Sequence, residues 1–247
     1  MKKNSTYILI ALILSYSALF SQEKKIINAD MVWLGYYNSV KINSKFSINS
    51  DFQARTRNSQ WYQFLGRTGV AYTLSDRVFV LVGFAAFLYP QNNDVNILRK
   101  EWRPWEEIMF TDNVGRLKII HRFRLEERYN QQIVKNTLSD NYAFNYRFRY
   151  KLDLQYPLFC KDKTSLVFFA NIGNELMINA GKIIKYNYFD QNRTWIGLNF
   201  ILNPQFTLQL QYMHVWQQQS NGFTLEDDNV LRFNIYHTIN GKRKNTK

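Results

Sequence analysis

Apolar and polar residues alternate with a period of two along most of this chain, and that period predicts β-strands rather than helices. Over residues 45–57, Phe46, Ile48, Phe52 and Ala54 share one face, while Lys45, Asn49, Asp51, Gln53, Arg55 and Arg57 share the other. Residues 142–154 repeat the pattern, with Phe144, Tyr146, Phe148, Tyr150 and Leu152 opposing Asn145, Arg147, Arg149, Lys151 and Asp153. In residues 116–128, Leu117, Ile119, Phe123 and Leu125 alternate with Lys118, Arg122, Arg124, Glu126 and Arg128. A fourth clear case is 205–217, where Phe206, Leu208, Leu210, Tyr212 and Trp216 alternate with Thr207, Gln209 and Gln211. Further strands are predicted at 31–42, 61–74, 78–89, 101–111, 164–177, 189–202 and 229–240. Most reach 11 residues or more, whereas a strand in an ordinary globular sheet has about 5–6. Tilted strands of about 9–11 residues suit a bilayer crossing.

The connections point the same way. Short ones (43–44, 75–76, 112–115 and 203–204) alternate with longer ones at 90–100, 129–141, 178–188 and 218–228; 58–60 is a short exception, and 155–163 is longer than a tight turn. Tight turns at one end and longer loops at the other are the habit of bacterial membrane barrels. The predicted fold is therefore all-β, a transmembrane antiparallel up-and-down barrel of about 10–12 strands. Eleven strands are visible, yet single-chain bacterial barrels have an even number. Either residues 23–30 add a short strand or thread the lumen, or one of the eleven lies outside the barrel.

Composition adds to this picture without changing it. Of 247 residues, 16 are Tyr, 19 Phe and 6 Trp, types that favour strands and, for Tyr and Trp, membrane interfaces. Ten Gly and four Pro leave no linker to divide the chain. The mean hydropathy of −0.38 excludes a bundle of spanning helices but not a barrel, in which only alternate residues need be apolar. Lys2 and Lys3 followed by the uncharged apolar run from Tyr7 to Phe20 read as a signal peptide, too short to span a bilayer. The expected division is residues 1–21 as signal and 22–247 as a single outer-membrane barrel domain, placing the protein in the outer membrane. Cys160 is the single cysteine, so the fold holds without an internal disulfide. The net charge of +13 falls by two, to +11, when Lys2 and Lys3 leave with the signal. In an exported chain that charge argues against nucleic acid and for envelope anions. The expected partners are membrane lipids, with phosphorylated glycolipid among them; the oligomeric state is open.

If the apolar faces meet lipid, the polar faces line a lumen. The same phase turns Arg55, Arg67, Arg103, Glu107, Arg122, Arg124, Glu126, Arg128, Arg147, Arg149, Glu175, Arg193 and Arg232 inward, with Gln191 and Asn234. Two readings of this interior stay open. Arginines and carboxylates could pair across a narrow lumen and fill it as a structural plug. Alternatively, an excess of arginine forms an anion-binding or anion-conducting path.

The Arg122-x-Arg124-x-Glu126-x-Arg128 strand, Asn174-Glu175, and Asp190-Gln191-Asn192-Arg193 ahead of a strand resemble the domain-of-unknown-function 2490 family. So do Trp33 early in the first strand and Arg103 in a Trp-rich strand. The likeness covers roughly residues 30–240. It implies an exported outer-membrane barrel and, since such a family lacks a described function, no activity.

Catalytic chemistry is sparse. The chain has no Gly-rich phosphate loop, no G-x-S-x-G and no H-E-x-x-H, and one Cys cannot build a thiolate zinc site. No cofactor or metal is expected, and the protein reads as a non-enzyme. His121, His214 and His237 fall on the outward, apolar phase, where an interfacial role is ordinary. A lipid-modifying barrel enzyme is the alternative; it needs a nucleophile beside one of them, and none has a Ser within two positions. Glu126 and Glu175 sit among arginines, which favours ion pairs over proton donation. The acidic run Glu226-Asp227-Asp228 and the 129–141 loop suit a solvated surface better than a cation site. A soluble periplasmic β-sandwich that binds a ligand is the second architectural alternative.

Overall fold

A computed structural model describes residues 24–91, 94–135, 137–160 and 166–240. The expected N-terminal signal, residues 1–21, lies outside the described residues. Eleven strands follow one another: β1 (Lys25–Lys41), β2 (Phe46–Arg57), β3 (Gln60–Ser75), β4 (Val78–Gln91), β5 (Asp94–Val114), β6 (Leu117–Val134), β7 (Thr137–Cys160), β8 (Leu166–Ala180), β9 (Phe189–Ile201), β10 (Phe206–Gln218) and β11 (Thr224–Asn240). Each pairs with its neighbours in sequence, and β1 closes on β11 to make a barrel without a free edge. The closed sheet overturns the β-sandwich alternative, because a sandwich keeps edges that this sheet does not have.

Ten of the eleven pairings are antiparallel; the closing pair of β1 and β11 is parallel, with Trp33 opposite Arg232 and Tyr37 opposite Tyr236. An odd number of up-and-down strands leaves the first and last running the same way, so one parallel seam is geometrically obligatory. Eleven strands fall within the expected 10–12, and the closing pair alone departs from the expected antiparallel barrel. Residues 25–30 are neither a twelfth strand nor a luminal thread: they are the start of β1. Following the registers once round the barrel gives a shear of about 14, which for eleven strands implies a tilt near 44° and a backbone radius of roughly 11 Å.

Two connections expected as long loops are strand instead. β4 and β5 run on to Gln91 and from Asp94, and β6 and β7 to Val134 and from Thr137. These hairpins rise beyond the rest of the sheet at the end where β1 begins, here called the upper end. Residues 181–188 remain a true loop. At the lower end the connection after β7 starts later than expected, because β7 runs to Cys160 over 24 residues.

The barrel is built inside out relative to a soluble protein. Its outer face exposes Phe52 (65%), Val82 (60%) and Ile196 (58%), while Arg103, Glu126, Arg147 and Glu175 are buried within. An apolar exterior of this extent is stable only against another apolar phase. Two inward glycines shape the lumen. Gly83 stands opposite Trp105, and Gly173 opposite Trp195. A Cβ on either would lie 2.7 Å or 2.4 Å from the indole ring, so these glycines let the two tryptophans lie flat on the wall.

Candidate functional site

All the sequence-predicted site residues turn inward, as their alternation requires. The structure brings most of them into one network on the wall formed by β5 to β9. Glu126, only 1% exposed, is its centre. Its two oxygens accept from Arg147 and Arg149 at 2.6 Å each, with Arg103 at 3.3 Å and Arg124 at 3.7 Å. Glu107 pairs with Arg124 at 2.6 Å and Arg122 at 3.5 Å. Glu175 accepts from Arg149 at 2.8 Å and also from Arg122. Six arginines here meet five carboxylates, the other two being Glu101 and Asp190. Glu101 holds Arg103 and Arg128 at 2.6 and 2.7 Å, and Asp190 holds Arg147 at 2.8 Å.

Glu101 was not singled out from the sequence, and Asp190 entered only as part of the motif that carries the family resemblance, not as an inward residue. Glu101 sits at the start of the predicted strand, beside a stretch read as loop. Asp190 breaks the alternation: the register slips between Met177 and Ile178, and this bulge turns both Asp190 and Gln191 inward. An Asp directly before an inward Gln is the only trace the bulge leaves in the sequence.

The opposite wall is built differently. Arg55 lies over Trp33, its guanidinium carbon 3.8 Å from the ring centre, and donates to Gln63 and Gln53 at 2.7 Å each. Arg193 approaches the same indole at 5.0 Å and donates to Gln191 at 2.7 Å. Arg232 donates to Gln211 at 3.3 Å and to the Tyr37 hydroxyl. No carboxylate lies within 4 Å of these three guanidinium groups among the described residues. Amide and hydroxyl oxygens accept from some of their N–H groups without cancelling their charge. Trp33 and Arg55 stand opposite each other in the β1–β2 register, and Arg193 reaches them from β9. With the strand tilt included, all three sit level with Glu126 and Arg147, so the two walls face each other across the upper half of the lumen.

Between them runs one cavity of about 750 Å³. Its lining extends from Asp228, Gln217 and Met31 near the upper end to Thr238, Thr207 and Ser39 near the lower end. Twelve cationic side chains (eleven Arg and Lys151) line it against five carboxylates, and Glu101, Glu126 and Asp190 lie in the wall behind. A cavity of this volume has room for water, small ions or an extended chain.

The histidines face outward, as their phase predicts. His121 bonds the Tyr150 hydroxyl at 2.9 Å, His237 the Tyr36 hydroxyl at 2.7 Å, and His214 pairs with Asp227. The cross-strand neighbours of His214 are Thr194 and Asn229. No Ser or Cys hydrogen-bonds a histidine ring among the described residues. No group of three or more His, Cys, Asp or Glu is placed to hold a metal ion among those residues either.

Comparison with known proteins gives a family and little else. The family model described as "Protein of unknown function (DUF2490)" matches residues 30–226. No curated protein sequence matches. Among solved structures, the barrel is similar to the NanC porin in a rhombohedral crystal form. That likeness has a TM-score of 0.48 at 15% identity and covers 84% of this chain and 98% of the other. A chain from the structure described as "Unveiling the Mechanism Behind the in-meso Crystallization of Membrane Proteins" is similar at a TM-score of 0.36 and 12% identity, over 72% of this chain and 68% of that one. Likenesses at this level say nothing of what passes through or binds to this barrel.

Proposed function

The chain belongs to the DUF2490 family, whose description supplies no activity, and we propose from its own interior that it is an outer-membrane barrel that passes small anions. One observation carries this reading: the luminal cations exceed the carboxylates, and Arg55, Arg193 and Arg232 stand together around Trp33 and Tyr37 with no carboxylate within 4 Å. A cation at a narrow, poorly solvated site attracts anions and repels other cations, and rings of Arg or Lys select anions for this reason. The six-arginine, five-carboxylate network opposite has another job. Nearly neutral and heavily cross-linked, it holds the lumen rigid and narrow. The apolar outer face meets bilayer lipid, and the cleaved signal at residues 1–21 delivers the chain to the envelope.

The filled-plug reading keeps one specific support: that network occupies much of the upper lumen. Planar-bilayer recording separates the two. With a KCl gradient across the bilayer, an anion path gives discrete currents that reverse near the chloride equilibrium potential. A plug gives no current from correctly folded, heat-modifiable protein.

A further inference from the structure

The Trp33 wall has a second property that charge alone does not explain. The Trp33 indole N–H and the Arg55 Nε–H have no hydrogen-bond partner among the described residues, although Trp33 is 4% and Arg55 8% exposed. Buried donors without acceptors are costly, by about 1–3 kcal/mol each. Both belong to residues that line the cavity, but the two atoms themselves are covered, so a luminal acceptor reaches them only with a shift of the side chains around them. Beside them the lumen is apolar. Met31, Trp33, Trp195, Met213, Val215 and Val230 form one packed cluster, and all but Val230 line the cavity. A patch of Met, Val and Trp inside a polar lumen does nothing for water or chloride.

We infer that Trp33, Arg55 and Arg193 bind the carboxylate of an organic acid whose apolar body lies on Met31, Met213 and Val215. The ligand class follows from the pairing of features. Arg55 Nε–H and the indole N–H are in-plane donors, which suit a planar carboxylate. Two guanidinium groups without a carboxylate supply the charge, and the thioether and valine side chains supply an adaptable apolar seat. Inorganic phosphate uses the charge but not the seat. The inference rests on the anion-passage reading in one respect: the acid must reach the site through the lumen.

The test uses the full mature chain refolded in detergent, with octanoate, octanamide and inorganic phosphate as probes and tryptophan fluorescence plus calorimetry as readouts. Octanoate binds saturably; octanamide, with the same tail and no charge, and phosphate, with charge and no tail, each bind at least about tenfold more weakly, the loss expected when one charged hydrogen bond or the apolar contact is missing. Arg55→Gln weakens octanoate about tenfold or more, and Trp33→Phe, which keeps the ring but removes the N–H, weakens it to a smaller extent. Heat-modifiable migration confirms that each variant is folded. Equal affinity for octanoate and octanamide overturns the carboxylate site, as does an Arg55→Gln protein that is folded and binds octanoate like wild type. Equal affinity for octanoate and phosphate leaves an anion site but overturns the apolar seat, and with it this inference. Conductance in the same preparations separates the two readings. Anion-selective current without octanoate binding ends the subsite and spares the passage; octanoate binding without current ends the passage and spares the subsite.

Discussion

Two tryptophans in this lumen each carry a guanidinium on their ring, and the difference between them explains most of the interior. Arg124 lies 4.1 Å over Trp105 and Arg55 lies 3.8 Å over Trp33. Both indole N–H groups lack a partner among the described residues. The stacking is alike; the second neighbour is not. Arg124 is held by Glu107 at 2.6 Å, so its charge is spent locally within the β5–β9 wall. Arg55 is held by two glutamine amides, so its charge remains available to the lumen. On the proposed reading, one stack stabilises the barrel and the other sets the potential along the path. A cation–π contact alone, worth about 0.5–2 kcal/mol depending on desolvation, cannot distinguish them.

The comparison breaks most severely at Glu126. Glu126→Gln leaves Arg147 and Arg149 without their main counter-charge and weakens the hold on Arg103 and Arg124. Such a loss of one buried partner costs about 3–5 kcal/mol. Urea unfolding in lipid vesicles reads this directly; a variant as stable as wild type would mean that the paired wall is not structural.

An arginine's cost also depends on which side of the strand it faces. Ile196→Arg adds a guanidinium to the lipid side of β9, three residues from the luminal Arg193, in the middle of the apolar band. It is expected to cost about 2–4 kcal/mol and to lower refolding yield accordingly. A milder effect than removing Glu126 is expected, and no effect would remove the lipid-facing assignment.

Next in size is Gly173→Ala. The new methyl meets Trp195, whose indole donates to Asp153 at 3.0 Å, and overpacking of this kind costs about 1–3 kcal/mol. Near-ultraviolet circular dichroism should report the displaced indole together with the loss of stability. The smallest change in stability belongs to Arg55→Gln. It removes an uncompensated charge along with two amide hydrogen bonds and one ring contact, so the net change stays within about 1 kcal/mol.

Much of this interior was legible in the alternation of residues. A period of two puts Arg122, Arg124, Glu126 and Arg128 on one face whatever the strand pairs with, and the same parity turns Arg55, Arg147, Arg193 and Glu175 inward. Three features were not legible, each because it depends on register. Asp190 faces inward only because a bulge shifts the parity of β9. The stretches near residues 94–100 and 129–141 read as loops because their polar residues interrupt the alternation, yet they extend the hairpins as strands. The stack on Trp33 needs β1 paired with β2 at one specific register, together with a seam that brings β9 round through β10 and β11. Eleven strands were countable, but an odd count looked like an error because the parallel closure leaves no mark in either terminal strand.

On the proposed reading, the carboxylate-free wall gives the lumen its selectivity. The most direct test of that claim is the reversal potential of single channels in a KCl gradient, for wild type and for Arg55→Gln combined with Arg193→Gln. The wild-type potential should lie near the chloride equilibrium value, and the double variant's should move toward zero with the barrel still folded. A wild type that is sealed, unselective or cation-selective would contradict the claim, and so would a folded double variant whose reversal potential stays where wild type's is.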